Sequence, residues 1–434
     1  MTEPGSPDDD ALLRFLAQFG ITPGEDGQLD PAQLMARMQQ LMTSFSTQLA
    51  GFGNADPASG MSWGFARDIA QRTTGALGPD LPPDAAVVAR LKDAVGLADL
   101  WLDEDISFPR LATAPAVWTR QAWVDQTFAA WQELLRPVVT QLSRALRELV
   151  DAEVPGLEHM LRLSVAGMFA GQVGQALGQL AGQVVSAGDI GLPLTERPVV
   201  AILPSNLATF GEGLEQSESD LLLYWAIRES ARQRLFGAVG WLGPQLLALV
   251  DHYAREISID GTALEQAIES RLGSVSTPEE LEAAGQALAG SLFAPLTSDA
   301  QREVLARLET LLALIEGWVD EVVAQVAGAR MPAAAPLTET LRRRRASGGP
   351  AESALKTMFG LELRPRRTRD AANLWAALRA GQGSAARDAV WQHPDLLPSA
   401  ADLDDPLGFQ PSAAPTDALD EELARLLDES DDQE

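Results

Sequence analysis

The residues best placed for chemistry lie in "LLLYWAIRESARQRLFGAVGWLGPQLLALVDHY", residues 221–253. At its centre, Arg228-Glu229-Ser230-Ala231-Arg232 sets a charge, a Glu, two small residues and a second charge four positions on. A helical zinc protease has His-Glu-x-x-His in that layout, with two His one turn apart on the metal and the Glu polarising water. On a helix Leu222, Trp225, Ala226, Glu229, Gln233 and Phe236 form one stripe, so Glu229 is expected to point inward with the apolar face. Arg228 and Arg232 flank it, four apart and like-charged, which is unfavourable unless carboxylates lie between or opposite them. A buried Glu between two Arg must be paired or lose heavily to desolvation. Spacing leaves two readings open: a salt-bridge network in a helical core, or a catalytic Glu in a cavity.

Other chemistry has few residues to use. There are three histidines, His159, His252 and His393, whereas a catalytic zinc usually takes three protein ligands with His among them. His252 and Glu256 stand four apart, a spacing that can hold two metal ligands and is more often a surface contact. No Gly-x-Ser-x-Gly elbow occurs, and the lack of cysteine removes disulfides, thiolate zinc sites and Cys nucleophiles together. Gly167, Gly171, Gly174, Gly178 and Gly182 recur at three and four residues and line one helix face. That pattern lets a second helix approach closely; a phosphate loop would need its glycines at a strand-to-helix turn. The four Arg at 342–345 lie in a Pro/Gly/Ser-rich stretch without aromatics. They are expected as a solvated or internally paired loop, not a nucleic-acid patch.

The elements that must position these residues are mostly helical. Across 434 residues the chain is 46% hydrophobic, enough for a sizeable core. Apolar residues recur at three and four positions almost throughout from Ser62, with Asp84 a candidate N-cap. One β-branched stretch, "RPVVAILPSN" at 197–206, reads as a strand. Before Ser62, turn-rich sequence separates two short apolar-periodic segments, 11–19 and 34–49, which predicts a poorly ordered arm with marginal helices. The expected layout is a flexible arm over 1–60, a helical core over 61–330 and a Pro/Ala/Arg linker over 331–350. A small C-terminal helical unit over 351–409 and an acidic tail over 410–434 complete it.

No run of about 18 apolar residues occurs, so no membrane span is expected. The opening "MTEPGSPDDDALL" lacks the basic and apolar regions of a signal peptide, which leads to the expectation of a cytoplasmic protein. With 61 acidic against 33 basic residues the net charge is −28, a field that repels nucleic acid and anionic membranes. Only Lys92 and Lys356 are lysine, and Arg-for-Lys usage with abundant Ala, Gly and Pro reads as a GC-rich bacterial coding bias.

In order along the chain stand "MSWGFARDIAQR", "LADLWLDED", "WTRQAWVDQTFAAWQELLRPV", "GQVGQALGQLAGQVVSAGDIGLPL", "ILPSNLATFGEGLEQSESDLLLYWAIRESARQRLF", "LLALIEGWVDEVV", "LELRPRRTRDAANLWAAL" and "WQHPDLLPSAADLDDPLGF". Through these segments, over roughly 62–409, the sequence resembles a zincin-like bacterial family of hydrolases or zinc-dependent metalloproteases. The resemblance implies a mainly α, zincin-like helical core with a minor β element and disordered acidic termini. In metal-binding members the position of "RESAR" reads His-Glu-x-x-His, and a later Glu-Gly-His segment resembles "EGWVDEV". Carried over, Glu229 is the retained catalytic Glu, while Arg228 and Arg232 replace both histidines. Glu316 and Asp320 are cleft residues, and Trp318 stands where a His would be. A guanidinium does not bind Zn²⁺, so no metal is expected; Arg228 and Arg232 are expected to fill the cavity and pair with Glu229, Glu316, Asp320 or Glu321. The implied function is a catalytically silent family member that binds a peptide or protein partner in the old cleft. The alternatives are an active hydrolase taking zinc through His252, Glu229 and Glu316, and an assembly protein using the glycine-lined face.

Overall fold

A computed structural model of the chain describes residue 56 and residues 60–80, 82–149, 157–256, 298–349 and 365–411. The fold is mainly helical, as expected. Twelve α-helices run through the described residues: α1 Trp63–Ala76, α2 Ala85–Asp105, α3 Arg120–Leu149, α4 Leu157–Ala181, α5 Pro204–Gly211 and α6 Glu218–Ala238, then α7 Leu242–Arg255, α8 Asp299–Gly328, α9 Ala334–Ala346, α10 Pro365–Gln382, α11 Ser384–Ala389 and α12 Ala400–Asp404. Two strands, β1 Ala116–Val117 and β2 Ala201–Ile202, pair in parallel, and Ser186 bridges to Ile202 on the other side of β2. The termini expected to be disordered, including the arm before residue 56 and the acidic tail beyond 411, lie outside the described residues.

Local chemistry sets the helix starts. Asp84 caps α2 as its position predicts, accepting from the Val87 amide at 2.8 Å. Ser217 caps α6, whose first turn carries Glu218 and Asp220 where the helix dipole favours anions. Ser298 and Gln301 close a capping box at the start of α8. The strand expected over 197–206 shrinks to two residues because Pro204 opens α5, a position where its missing N–H is not needed.

The core is built around α6 and α8. Every residue of α6 from Tyr224 to Leu235 is buried, and so is every residue of α8 from Leu311 to Val323. Both helices are therefore enclosed on all sides, and the amphipathic stripe expected for α6 has no solvent-facing counterpart along this stretch. Around them, α1 packs on α4 through the glycine face: side chains at Gly174 or Gly178 would collide with Ala66, Ile69, Ala70 and Thr73. Intramolecular packing thus covers that face at Gly174 and Gly178, where only a glycine backbone lets α1 approach so closely, while Gly171 has nothing within 4 Å.

One correction concerns the C-terminal third. The linker and Arg-rich loop expected over 331–350 is largely the helix α9, with Ala334, Leu337 and Leu341 buried. Ala, Leu and Arg are strong helix formers, and Pro336 falls in the first turn, where proline is tolerated. Residues 365–411 lie directly on the core: Trp375 is fully buried and donates to the Leu314 carbonyl at 3.0 Å, and its ring stacks on Trp391 at 5.5 Å.

Candidate functional site

Residues from α6, α8 and α9 converge on one buried cluster of alternating charge. Arg228 and Arg232 lie one turn apart on α6, as Glu316 and Asp320 do on α8. Arg228 donates from Nη1 to Asp320 Oδ1 at 2.6 Å and from Nη2 to Glu316 Oε2 at 3.2 Å. Arg232 forms a fork on Glu316, Nε to Oε1 at 2.8 Å and Nη2 to Oε2 at 3.1 Å, while its Nη1 reaches Glu229 Oε2 at 2.7 Å. A third guanidinium enters from α9, where Arg345 donates to Asp320 Oδ2 at 2.9 Å and also to Glu316.

Three guanidinium groups thus face three carboxylates, and the cluster is neutral as a whole. Arg228, Glu229 and Arg232 are at most 1% exposed. Burial opposes the charged form of each Arg, and the neighbouring carboxylates override it, so both guanidinium groups are held more firmly protonated than usual. Burial likewise works against ionised Glu316, but Arg232, Arg345 and Arg228 pull its pKa below the ordinary carboxylate value. Asp320 behaves the same way, with Arg345 and Arg228 overcoming its burial.

Glu229 has both oxygens engaged. Ser186 donates at 2.7 Å, the Gly188 amide at 2.8 Å and Gln233 at 2.8 Å, in addition to Arg232. The 186–191 loop lies directly over it. A Cβ on Gly188 would sit 2.9 Å from Arg232 Cδ, and Gly191, at φ +75°, stands against Glu316. A bulkier loop would displace the ion pairs, and at Gly191 the left-handed backbone itself favours glycine.

The sequence profile of the zincin-like metallopeptidases matches residues 61–409. The chain belongs to the zincin-like metallopeptidase family. The fold is shared with a crystal structure from Chloroflexus aurantiacus, described as a candidate hydrolase with a novel fold. That likeness has a TM-score of 0.56 and 18% identity, and covers 80% of this chain and 96% of that one. No curated protein matches the sequence.

Zincin-like metallopeptidases are expected to bind zinc, and the donor set here does not fit it. Arg228 and Arg232 have no lone pair to offer, and the carboxylates beside them are engaged by guanidinium groups. A dication would join three fixed positive charges. Among the described residues no group of three or more His, Asp or Glu is arranged to hold a metal.

The structure brings together Arg228, Glu229, Arg232, Glu316 and Asp320. Trp318 is not with them. Two residues beyond Glu316 it has turned about 200° around α8, where it donates to Asp388 at 3.0 Å and lies under the Arg387 guanidinium. Glu321, a candidate partner for Arg228 or Arg232, instead pairs with Arg387 at 2.5 Å and with Arg379. The ligand set His252, Glu229 and Glu316 does not form, because His252 is exposed on α7 while Glu229 is sealed beneath the 186–191 loop. Arg345 was missed as a site residue. Its signal was the four-residue spacing of Leu337, Leu341 and Arg345, which puts the Arg on the buried face of α9.

Proposed function

We propose that this member of the zincin-like metallopeptidase family is catalytically silent and acts by binding a protein or peptide partner. The reading rests on one observation: Arg232 joins the Glu229 of the helix motif to Glu316, and the pair is 0% exposed at both Arg232 and Glu229. Side-chain charge stands where a hydrolase of this kind needs a metal, and the Glu that would act as general base accepts hydrogen bonds on both oxygens. Among the described residues Glu229 is fully buried, so the partner would be met elsewhere on the surface.

Untagged protein exposed to zinc and dialysed is the material for the test, with metal content and peptide hydrolysis both measured. The expected result is no retained zinc and no turnover distinguishable from that of Glu229→Gln. Zinc retained near one per chain, with turnover lost in Glu229→Gln, overturns the proposal.

A further inference from the structure

A groove of about 540 Å³ opens between α2, α5 and α6, away from the ion-pair cluster. Its apolar lining includes Leu91, Ala94, Leu97, Val117, Leu207 and Leu222. Leu97 is 38% exposed, and Leu100, one turn further on α2, is 57% exposed. The volume falls within the range of about 300–1,000 Å³ typical of binding clefts. Arg90, Asp93 and Glu218 stand at the groove, an excess of one negative charge.

We infer that this groove is the docking site of residues 34–49 of the same chain. Leu34, Met38, Leu41, Phe45 and Leu49 repeat at three and four residues, joined on that face by Met35 and Met42. Methionine-rich faces adapt readily to irregular apolar surfaces. Charge agrees: in a chain of net charge −28, residues 31–55 hold no Asp or Glu and carry Arg37.

The tether matches the length of α1. That helix spans about 21 Å at 1.5 Å per residue, and Asp80, four residues past its end, bonds Ser205 at 2.8 Å beside the groove-lining Pro204. At the other end of α1 Asp56 is turned back, its amide donating to the Met61 carbonyl at 2.9 Å. Residues 50–55 extend up to about 20 Å from there toward Leu49. A stripe of such residues left in water would be an exposed hydrophobic patch, and burying it against Leu97 and Leu222 removes both liabilities together.

The cysteine-free chain makes the test clean. In the full-length protein, Leu97→Cys is combined in turn with Met38→Cys, Leu41→Cys and Phe45→Cys, and each pair is mildly oxidised. At least one pair is expected to form an intrachain disulfide in most molecules, since bridging needs Cβ atoms about 4 Å apart. The same partners combined with Leu407→Cys, at a site 81% exposed and outside the groove, stay reduced. Trapping of no pair, equal trapping with Leu407→Cys, or a disulfide found only between two chains overturns the proposal, the last assigning the groove to a second copy. Hydrogen exchange gives an independent readout: in full-length Met38→Asp/Leu41→Asp, amides of residues 87–97 are expected to exchange about tenfold faster. Unchanged exchange there also overturns it.

Discussion

Arg232 and Glu316 meet as a two-pronged pair inside the protein, Nε to Oε1 at 2.8 Å and Nη2 to Oε2 at 3.1 Å, on the stretches of α6 and α8 that are buried on all sides. Arg228 and Arg345 bond the same carboxylate. Glu316 is therefore the hub of the cluster, shared by three guanidinium groups from two helices. Removing one partner from a buried set strands the others without water, and for that reason buried pairs are costly to break even where they contribute little when intact.

Glu316→Gln keeps the shape of the side chain and removes the shared charge. The expected loss is about 3–5 kcal/mol in urea denaturation, with folding still cooperative. Glu303→Gln, at an exposed pair with Arg307 on the same helix, is the control and should leave the midpoint nearly unchanged. Equal effects of the two substitutions would mean the cluster is not held by charge.

Acid should act through the same residues. Glu316 and Asp320 are held below their ordinary values of 4.5 and 3.8 by the Arg groups that overcome their burial. The stability they contribute is complete above those values and is lost as pH falls through the lower folded-state values. Tm is expected to be flat from pH 7 to about 5 and to drop below about 4. Glu316→Gln/Asp320→Asn, less stable at neutral pH, should show a shallower acid limb; an identical limb would assign acid unfolding to other groups.

Zinc affinity should be recoverable by substitution. Arg228→His/Arg232→His supplies two imidazoles one turn apart on α6, with Glu316 opposite as a third ligand. Arg345 would still occupy Glu316 and Asp320, so near-stoichiometric zinc is expected only when Arg345→Ala is added. Metal analysis after dialysis checks this, and equal zinc in the double and triple variants would show that Arg345 does not guard the position.

At Gly317, between Glu316 and Trp318, α10 lies close against α8. A Cβ there would come within 2.5 Å of Ala371 Cβ and 2.7 Å of the Ala372 backbone nitrogen. Gly317→Ala is expected to destabilise by about 1–3 kcal/mol through overpacking. A change under about 0.5 kcal/mol in chemical denaturation would show that α10 yields instead.

Much of the fold was legible because it depends on local pattern. The three-and-four spacing of apolar residues marked the helices, Asp84 announced the start of α2, and the glycine repeat in α4 foretold a close helix neighbour, which is α1. The inward turn of Glu229 was legible too, from the stripe it shares with Trp225 and Gln233. The Arg-rich stretch misled because proline and glycine at its ends look like a loop, while Leu337 and Leu341 anchor it as α9.

By itself the sequence determined the inventory: two Arg where a metal site carries histidines, one Glu between them, and an acidic pair four apart further along. It also determined family membership through ordered motifs over most of the chain. Only the tertiary structure decided which charges meet. Trp318 and Glu321 sit within five residues of Glu316, yet point to the other side of α8 and to Asp388, Arg379 and Arg387. Arg345, 29 residues away, completes the cluster. Neighbours on a helix separate by about 100° per residue, so proximity in sequence says little about which face is shared. The partner on that face is set by packing between helices, which no local spacing encodes.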